Sequence, residues 1–320
     1  MADDPTSLRV ALFSGNYNYV RDGANQALNR LVNYLIRRGV AVRVYSPTSA
    51  SPAFAPQGDL VSVPSFPLPF GRSEYRLAWS IPRRTLADIK AFKPNVFHIS
   101  MPFLLGSAAL RLSRKMDVPA VASMHTRFET YPAYYGAGFL ELPVTAMLRR
   151  FYQQCDAVVA PSESAAAVMR GQRMAKVIGI WARGIDTTIF NPGQRSLEWR
   201  RSLGLADADR VIGFLGRLVM EKGLETVVST VQTLRQRGVP HRVMITGEGP
   251  ARDWLASQLP EAIFAGFLQG ADLGRALASS DVLLNPSVTE TFGNVTLEAM
   301  ACQLPVVAAL SPGSANLVVD

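Results

Sequence analysis

Leu8-Arg-Val-Ala-Leu-Phe-Ser-Gly15 is an apolar run that stops at a glycine, and together with the thirty residues after it this run decides the fold. Residues 16–23 (Asn-Tyr-Asn-Tyr-Val-Arg-Asp-Gly) are rich in turn formers. Residues 24–38 then place Leu28, Leu31, Val32, Leu35 and Ile36 at helical spacing and end at Gly39, a favourable C-cap. Ala41-Val-Arg-Val-Tyr45 is the next extended run, which completes a βαβ unit. The alternation continues with apolar runs at 96–99, 120–124, 157–160 and 176–180, separated by helical stretches. Strands spaced in this way predict a parallel sheet covered on both faces.

A second alternation begins at Val211-Ile-Gly-Phe-Leu-Gly216. A helix is predicted over 223–237 with Gly238 as its stop, then strands at 241–246 and 262–265, a helix near 271–279 and a strand at 281–284. The polar stretch 183–209 between the two alternations reads as a linker. A chain of 320 residues exceeds what one core usually serves. The expected organisation is therefore two doubly wound, Rossmann-like α/β domains, 1–190 and 191–320, with a ligand cleft between the carboxyl ends of their sheets. Within the first, 49–70 is proline-rich and reads as a surface excursion. Residues 74–92 read as a helix interrupted or restarted at Pro82, carrying Arg76, Trp79, Arg83, Arg84 and Lys90. That segment is either a basic, Trp-bearing face for lipid head groups or a solvated helix with a buried Trp.

Apolar content of 48% with 18% charged residues describes an ordered globular chain. No apolar run reaches the roughly 18 residues of a membrane span, and the N-terminus lacks the basic and apolar regions of a signal peptide. The expected location is cytoplasmic, with Cys155 and Cys302 as reduced thiols. The net charge of +8 is unevenly placed: residues 1–190 hold 22 Lys and Arg against 12 Asp and Glu (+10), and 191–320 hold 11 against 13 (−2). A basic first half points to an anionic partner: nucleic acid, an anionic membrane surface or an acidic substrate. Nucleic acid is disfavoured, because the basic residues are scattered and no reader motif is present.

Strand-end loops carry the candidate chemistry. Asp281-Val-Leu-Leu-Asn285 stops at Pro286, a polar turn with Glu290, Phe292, Gly293 and Asn294 comes next, and a helical pattern places Glu298 about one turn in. A helix start with unpaired N–H groups suits an anion such as a diphosphate, although two carboxylates there are also compatible with plain surface. Gly216-Arg-Leu-Val-Met-Glu-Lys-Gly223 puts Arg217 and Lys222 in one loop before a helix, suited to hold and neutralise a diphosphate. Gly247-Glu248-Gly249-Pro250 lets a backbone approach a nucleotide. In the first half, Gly15 and Gly23 flank a strand–helix loop without Gly-x-Gly-x-x-Gly spacing and with no acidic residue after the next strand, which disfavours a dehydrogenase. His125 opens a polar run at a strand end, where it either hydrogen-bonds a substrate hydroxyl or serves structure. His98, inside a strand pattern, reads as packed or backbone-paired. Asp207-Ala-Asp209 has no apolar run before it and reads as a solvated turn; no cluster has metal-site spacing, and Ser162 and Ser164 lie outside any nucleophile elbow.

Taken together these residues resemble the family 4 retaining glycosyltransferases of the two-Rossmann-domain, or GT-B, type. The matching features are Gly216-Arg-x4-Lys222-Gly, Arg183-Gly-Ile-Asp-x3-Phe190, Gly247-Glu-Gly-Pro and Glu290-x7-Glu298. His125-Thr-Arg-Phe and the entry at Asp22-Gly resemble the branch that glycosylates lipids from GDP-mannose or a UDP-sugar such as UDP-sulfoquinovose. The resemblance implies that Arg217 and Lys222 hold the donor diphosphate and stabilise it as it leaves. It gives Glu290 the hydroxyls and developing charge of the transferred sugar, Glu298 the ribose hydroxyls, and His125 the donor sugar, with the loop from Gly15 to Gly23 near donor and acceptor. Gly247, Glu248, Gly249, Phe292, Gly293 and Asn294 complete the expected donor site. It further implies retention by front-face attack with neither cofactor nor metal, and a peripheral association with the inner face of a membrane. The rival readings are a nucleotide-sugar epimerase of the same fold and a non-catalytic nucleotide-sugar-binding remnant. Two departures stand out: Gln303 where the family commonly has glycine before Leu-Pro, and an end at Asp320 where relatives run on, so the second domain is expected to be incomplete.

Overall fold

The computed structural model describes residues 5–20, 22–67, 75–134 and 136–318. It divides into two units, one of Met1–Glu129 with Leu140–Trp181, the other of Thr130–Phe139 with Ala182–Asp320. The first holds β1 (Arg9–Phe13), α1 (Gly23–Arg37), β2 (Ala41–Ser46), β3 (Asp59–Ser62), a short antiparallel pair β4 (Phe66–Pro67) and β5 (Arg76–Leu77), α2 (Arg83–Phe92), β6 (Val96–Ile99), α3 (Leu104–Lys115) and β7 (Ala120–Ser123). After α4 (Tyr131–Tyr134), which falls in the second unit, come α5 (Glu141–Tyr152), β8 (Ala157–Ala160), α6 (Glu163–Gly171) and β9 (Ile178–Ile180).

Seven strands form one parallel sheet in the order β3-β2-β1-β6-β7-β8-β9. The order reverses between β1 and β6, which is where a doubly wound sheet opens a crevice at its carboxyl edge. Both faces are covered. Val10, Leu12, Val42 and Val44 pack with Leu28 and Val32 of α1. On the other face Phe13, Phe97 and Ile99 pack with Ile89, Leu105, Ala109 and Phe151 from the later helices. Asp22 starts α1 by accepting the backbone N–H of Asn25 at 2.8 Å.

Two expectations change here. The helix read over 74–92 begins only at Arg83, after an extended Pro82 that has no N–H to continue a helix upstream; Glu74 lies outside the described residues. Arg76 sits in β5, and Trp79 precedes the helix with 66% of its surface exposed rather than buried. The proline-rich excursion contains β3, an edge strand whose sequence, with Leu60 and Val61 as its only apolar residues, gives little periodic signal.

The second unit runs α7 (Leu197–Ser202), β10 (Val211–Leu215), α8 (Leu224–Gln236), β11 (Arg242–Thr246), α9 (Arg252–Gln258), β12 (Ile263–Gly266), α10 (Gly270–Ala278), β13 (Val282–Asn285), α11 (Asn294–Ala301) and β14 (Val306–Ala308). Its five-stranded parallel sheet has the order β12-β11-β10-β13-β14, with the reversal between β10 and β13. The stretch read as a linker is an integral part of this unit. Phe190 is buried with Ile185 and Ile189 against Leu277, Leu283 and Ala299. Arg200 on α7 is fully buried, and its guanidinium donates to the carbonyls of Ser279 (2.7 Å) and Asp209 (2.6 Å) and to Asp281 (3.1 Å). A polar segment that satisfies strand-end carbonyls in this way looks like a linker in sequence but is folded.

Candidate active site

The reversal point of the second sheet gathers three strand-end loops. The loop after β10 carries Arg217, half-buried, and ends in a 3-10 turn, Met220–Lys222. Gly223 then takes a left-handed conformation (φ 75°), and a Cβ there would lie 2.8 Å from the Pro286 carbonyl oxygen, so only glycine lets this loop meet the one after β13. Across that contact Lys222 Nζ reaches Glu290 Oε1 at 2.5 Å, with the two side chains 31% and 17% exposed. The Thr289 hydroxyl donates to the Glu221 carbonyl at 3.3 Å and ties the same two loops a second time.

Helices α8 and α11 both start here, behind Gly223 and Gly293, and neither has a side-chain cap. Their first-turn N–H groups and positive dipole ends are therefore not met by a capping side chain, which suits an anionic ligand. Asn294 is the first residue of α11, Glu298 lies one turn on and is half-buried, and Phe292 precedes the cap. The third loop is Gly247-Glu248-Gly249. Gly247 (φ 133°) presses on the Gly216 carbonyl, where a Cβ would come within 1.9 Å of the oxygen. Leu218 N donates to the Glu248 carbonyl and Ala251 N to the Leu218 carbonyl, both at 3.0 Å. The expected donor residues of the second unit thus sit on backbones locked to one another at three adjacent strand ends.

One contributor escaped the sequence reading. Gly313, in the loop after β14, donates its N–H to the Glu290 carbonyl at 2.8 Å, and a Cβ on it would lie 2.9 Å from Gly293 N. It holds the Glu290 turn from beneath, braced by the buried Ser314 hydroxyl, which donates to the Ala309 carbonyl at 2.6 Å. The signal in sequence was the turn-forming run Ser311-Pro-Gly-Ser314.

In the first unit, Gly15 comes shortly after β1 and lies against Met101, just past β6, at that sheet's own reversal point. The loop after it is packed rather than solvated: Tyr17 and Asn18 are buried, Tyr17 donates to the Gln57 carbonyl (2.7 Å) and Tyr19 to the Gly15 carbonyl (2.6 Å). Gly23 is the first residue of α1. His125 stands past the end of β7, its Nε2 2.9 Å from Ser123 Oγ, and the same hydroxyl lies 2.9 Å from Nε2 of His98. Trp181 stands nearly perpendicular to both imidazoles, at interplanar angles of 82° and 78°, with centroids 5.6 Å from His125 and 6.2 Å from His98. His98 is buried, as its strand position suggested, and its side chain has a polar partner.

Neither cysteine offers a reactive thiolate: burial pushes Cys155 up to about 12 and Cys302 up to about 11, the latter with Glu298 adding to the effect. Asp207 pairs with Arg201 on an exposed turn and Asp209 accepts the N–H of Ala206. Among the described residues no group of three or more His, Cys, Asp or Glu is placed to hold a metal ion, and no helix is long and apolar enough to cross a membrane.

Two parallel, doubly wound sheets of this kind are the GT-B architecture. Glycosyltransferase Family 4 matches residues 21–189, and Glycosyl transferases group 1 matches residues 209–320. The chain belongs to glycosyltransferase family 4. It is 33% identical to a GDP-mannose-dependent alpha-mannosyltransferase of Mycolicibacterium smegmatis, over 97% of this chain and 82% of the relative. It is 31% identical to the sulfoquinovosyl transferase SQD2 of Arabidopsis thaliana, over 98% of this chain and 63% of that longer relative. Among solved structures, sucrose-phosphate synthase of Thermosynechococcus elongatus shares the fold with a TM-score of 0.77 at 19% identity, over 98% of this chain and 84% of its own.

Proposed function

We propose that this chain moves a hexosyl group, with retention, from a nucleotide diphosphosugar of the GDP-mannose or UDP-hexose type to the hydroxyl of a lipid acceptor. The observation that carries the reading is the Lys222–Glu290 pair at the reversal point of the second sheet, beside Arg217 and two helix starts without side-chain caps. A diphosphate seated there meets two cations and two sets of backbone N–H groups that favour the extra negative charge of the leaving group. Arg217 and Lys222 supply the neutralisation that a metal supplies in other sites. Glu290, released from Lys222 by the incoming phosphate, accepts from sugar hydroxyls and lowers the energy of the positive charge that develops at the anomeric carbon. Glu298 accepts from the ribose hydroxyls, and His125 hydrogen-bonds a substrate hydroxyl. The bond from the anomeric carbon to phosphate breaks as the acceptor oxygen attacks the same face, and the departing phosphate oxygen takes the acceptor proton. No protein nucleophile is called on.

A lipid acceptor at an anionic bilayer is supported by the +10 balance of residues 1–190 and by α5. That helix buries Thr145, Leu148, Phe151 and Tyr152 but exposes Leu142 and Met147 together with Arg149 and Arg150 on its other face. Apolar and basic side chains on one exposed face suit peripheral attachment to anionic lipid. The reading is tested by thermal shift against UDP-, GDP- and ADP-sugars. One base is expected to stabilise the protein by about 2.7 kcal/mol at 100 times its dissociation constant. No shift with any of them would remove the reading.

A further inference from the structure

We infer that Ser123 and the buried His98 are positioning residues for His125, holding its imidazole by the Nε2 edge and coupling its tautomer to that of His98. The inference rests on the sugar-site reading of His125. The geometry begins with sheet register: Leu12 pairs with His98 and His98 with Val121, so His98 and Ser123 rise from the same face of neighbouring strands. Ser123 is 1% exposed, and its hydroxyl lies 2.9 Å from Nε2 of each histidine.

A hydroxyl has one proton to give and lone pairs to accept with, and a buried donor left unmet costs about 1–3 kcal/mol. Ser123 therefore donates to one Nε2 and accepts an N–H from the other. One ring carries its proton on Nε2 and the other does not. Both rings cannot present a bare Nε2 to a single proton. His125 is held by this Nε2 edge, so the hydroxyl fixes the ring's orientation as well as its tautomer. Trp181, packed nearly perpendicular to both rings, limits their rotation.

The test uses the fact that the chain has three histidines: His98, His125 and His241 near the start of β11, which serves as an internal reference. Long-range proton–nitrogen spectra of the full chain labelled in histidine, recorded near pH 8 where unperturbed imidazoles are neutral, are expected to show opposite tautomers for His98 and His125. Ser123→Ala is expected to change both ring spectra, leave His241 unmoved, and lower kcat/KM for transfer by at least about tenfold, with Ser123→Thr restoring most of it. Two bare Nε2 atoms in the native protein, or ring spectra indifferent to Ser123→Ala, would overturn the inference, as would failure of Ser123→Thr to restore transfer while it restores the spectra. Titration with the nucleotide sugar that binds separates the two layers. If His125 resonances stay put on saturation, the sugar-site reading of His125 fails and the positioning role falls with it. If they move while the tautomers prove uncoupled, only the positioning pair is lost.

Discussion

Asp281 stands at the entrance to β13 and Glu290 lies beyond its exit, so one strand joins an ion pair at each end. The two pairs are built differently. Asp281 accepts from the Val211 N–H (2.8 Å), from Arg195 (2.8 Å) and from Arg200 (3.1 Å), whose side chain has no exposed surface. Burial pushes the Asp281 carboxyl up, but the Val211 N–H and the two guanidinium groups outweigh it and hold the group below the ordinary carboxylate range. The Glu290 carboxylate meets Lys222 alone among the described residues, on flexible stems at a loop junction that stays partly open to solvent. A carboxylate saturated by rigid donors holds a fold. One with a single mobile partner can exchange that partner for a ligand.

The comparison breaks first at Asp281. Asp281→Ala strands a buried guanidinium and is expected to cost about 3–5 kcal/mol of unfolding free energy in urea titrations. An effect under about 1 kcal/mol would contradict the structural reading of this end. The sign with pH comes from the lowered pKa: the Asp281 contribution is complete above the unfolded value near pH 4 and is lost as pH falls through the lower folded value. Native stability should therefore drop below about pH 4 more steeply than that of Asp281→Ala.

Much of this was legible in the sequence, and the failures have physical causes. The βαβ alternation, the glycine stops after α1 and α8, and the separate loops that carry Arg217 with Lys222 and Glu290 were readable because each is local in the chain, whereas joining them into one set rested on the family resemblance. Arg200 was invisible: an arginine with no exposed surface runs against the ordinary preference of that side chain, and two of its three partners lie at the entrance to β13, some eighty residues on. Ser123 and His98 were equally hidden, since their meeting depends on the register of β6 against β7, which no single-strand pattern encodes. Gly313 joined the Glu290 turn through a loop whose sequence marked a turn and nothing more.

A smaller effect sharpens the same boundary between fold and site. Gln303 sits at φ 58° where α11 ends, a conformation that glycine adopts at less cost. Gln303→Gly is expected to stabilise the protein by about 1 kcal/mol in thermal melts and to leave transfer unchanged, since the residue lies at the far end of the helix from Gly293. Loss of activity there would mean that the helix terminus matters to the site in a way its geometry does not suggest.

The most direct measurement is hexosyl transfer by Glu290→Ala, run beside nucleotide affinity and urea stability on the same preparation. Kcat is expected to fall by at least about 100-fold, with the nucleotide diphosphate still bound within a few-fold of the native affinity and stability changed by less than about 1 kcal/mol. Native-like turnover in that variant would contradict the assignment of this strand end as the sugar grip.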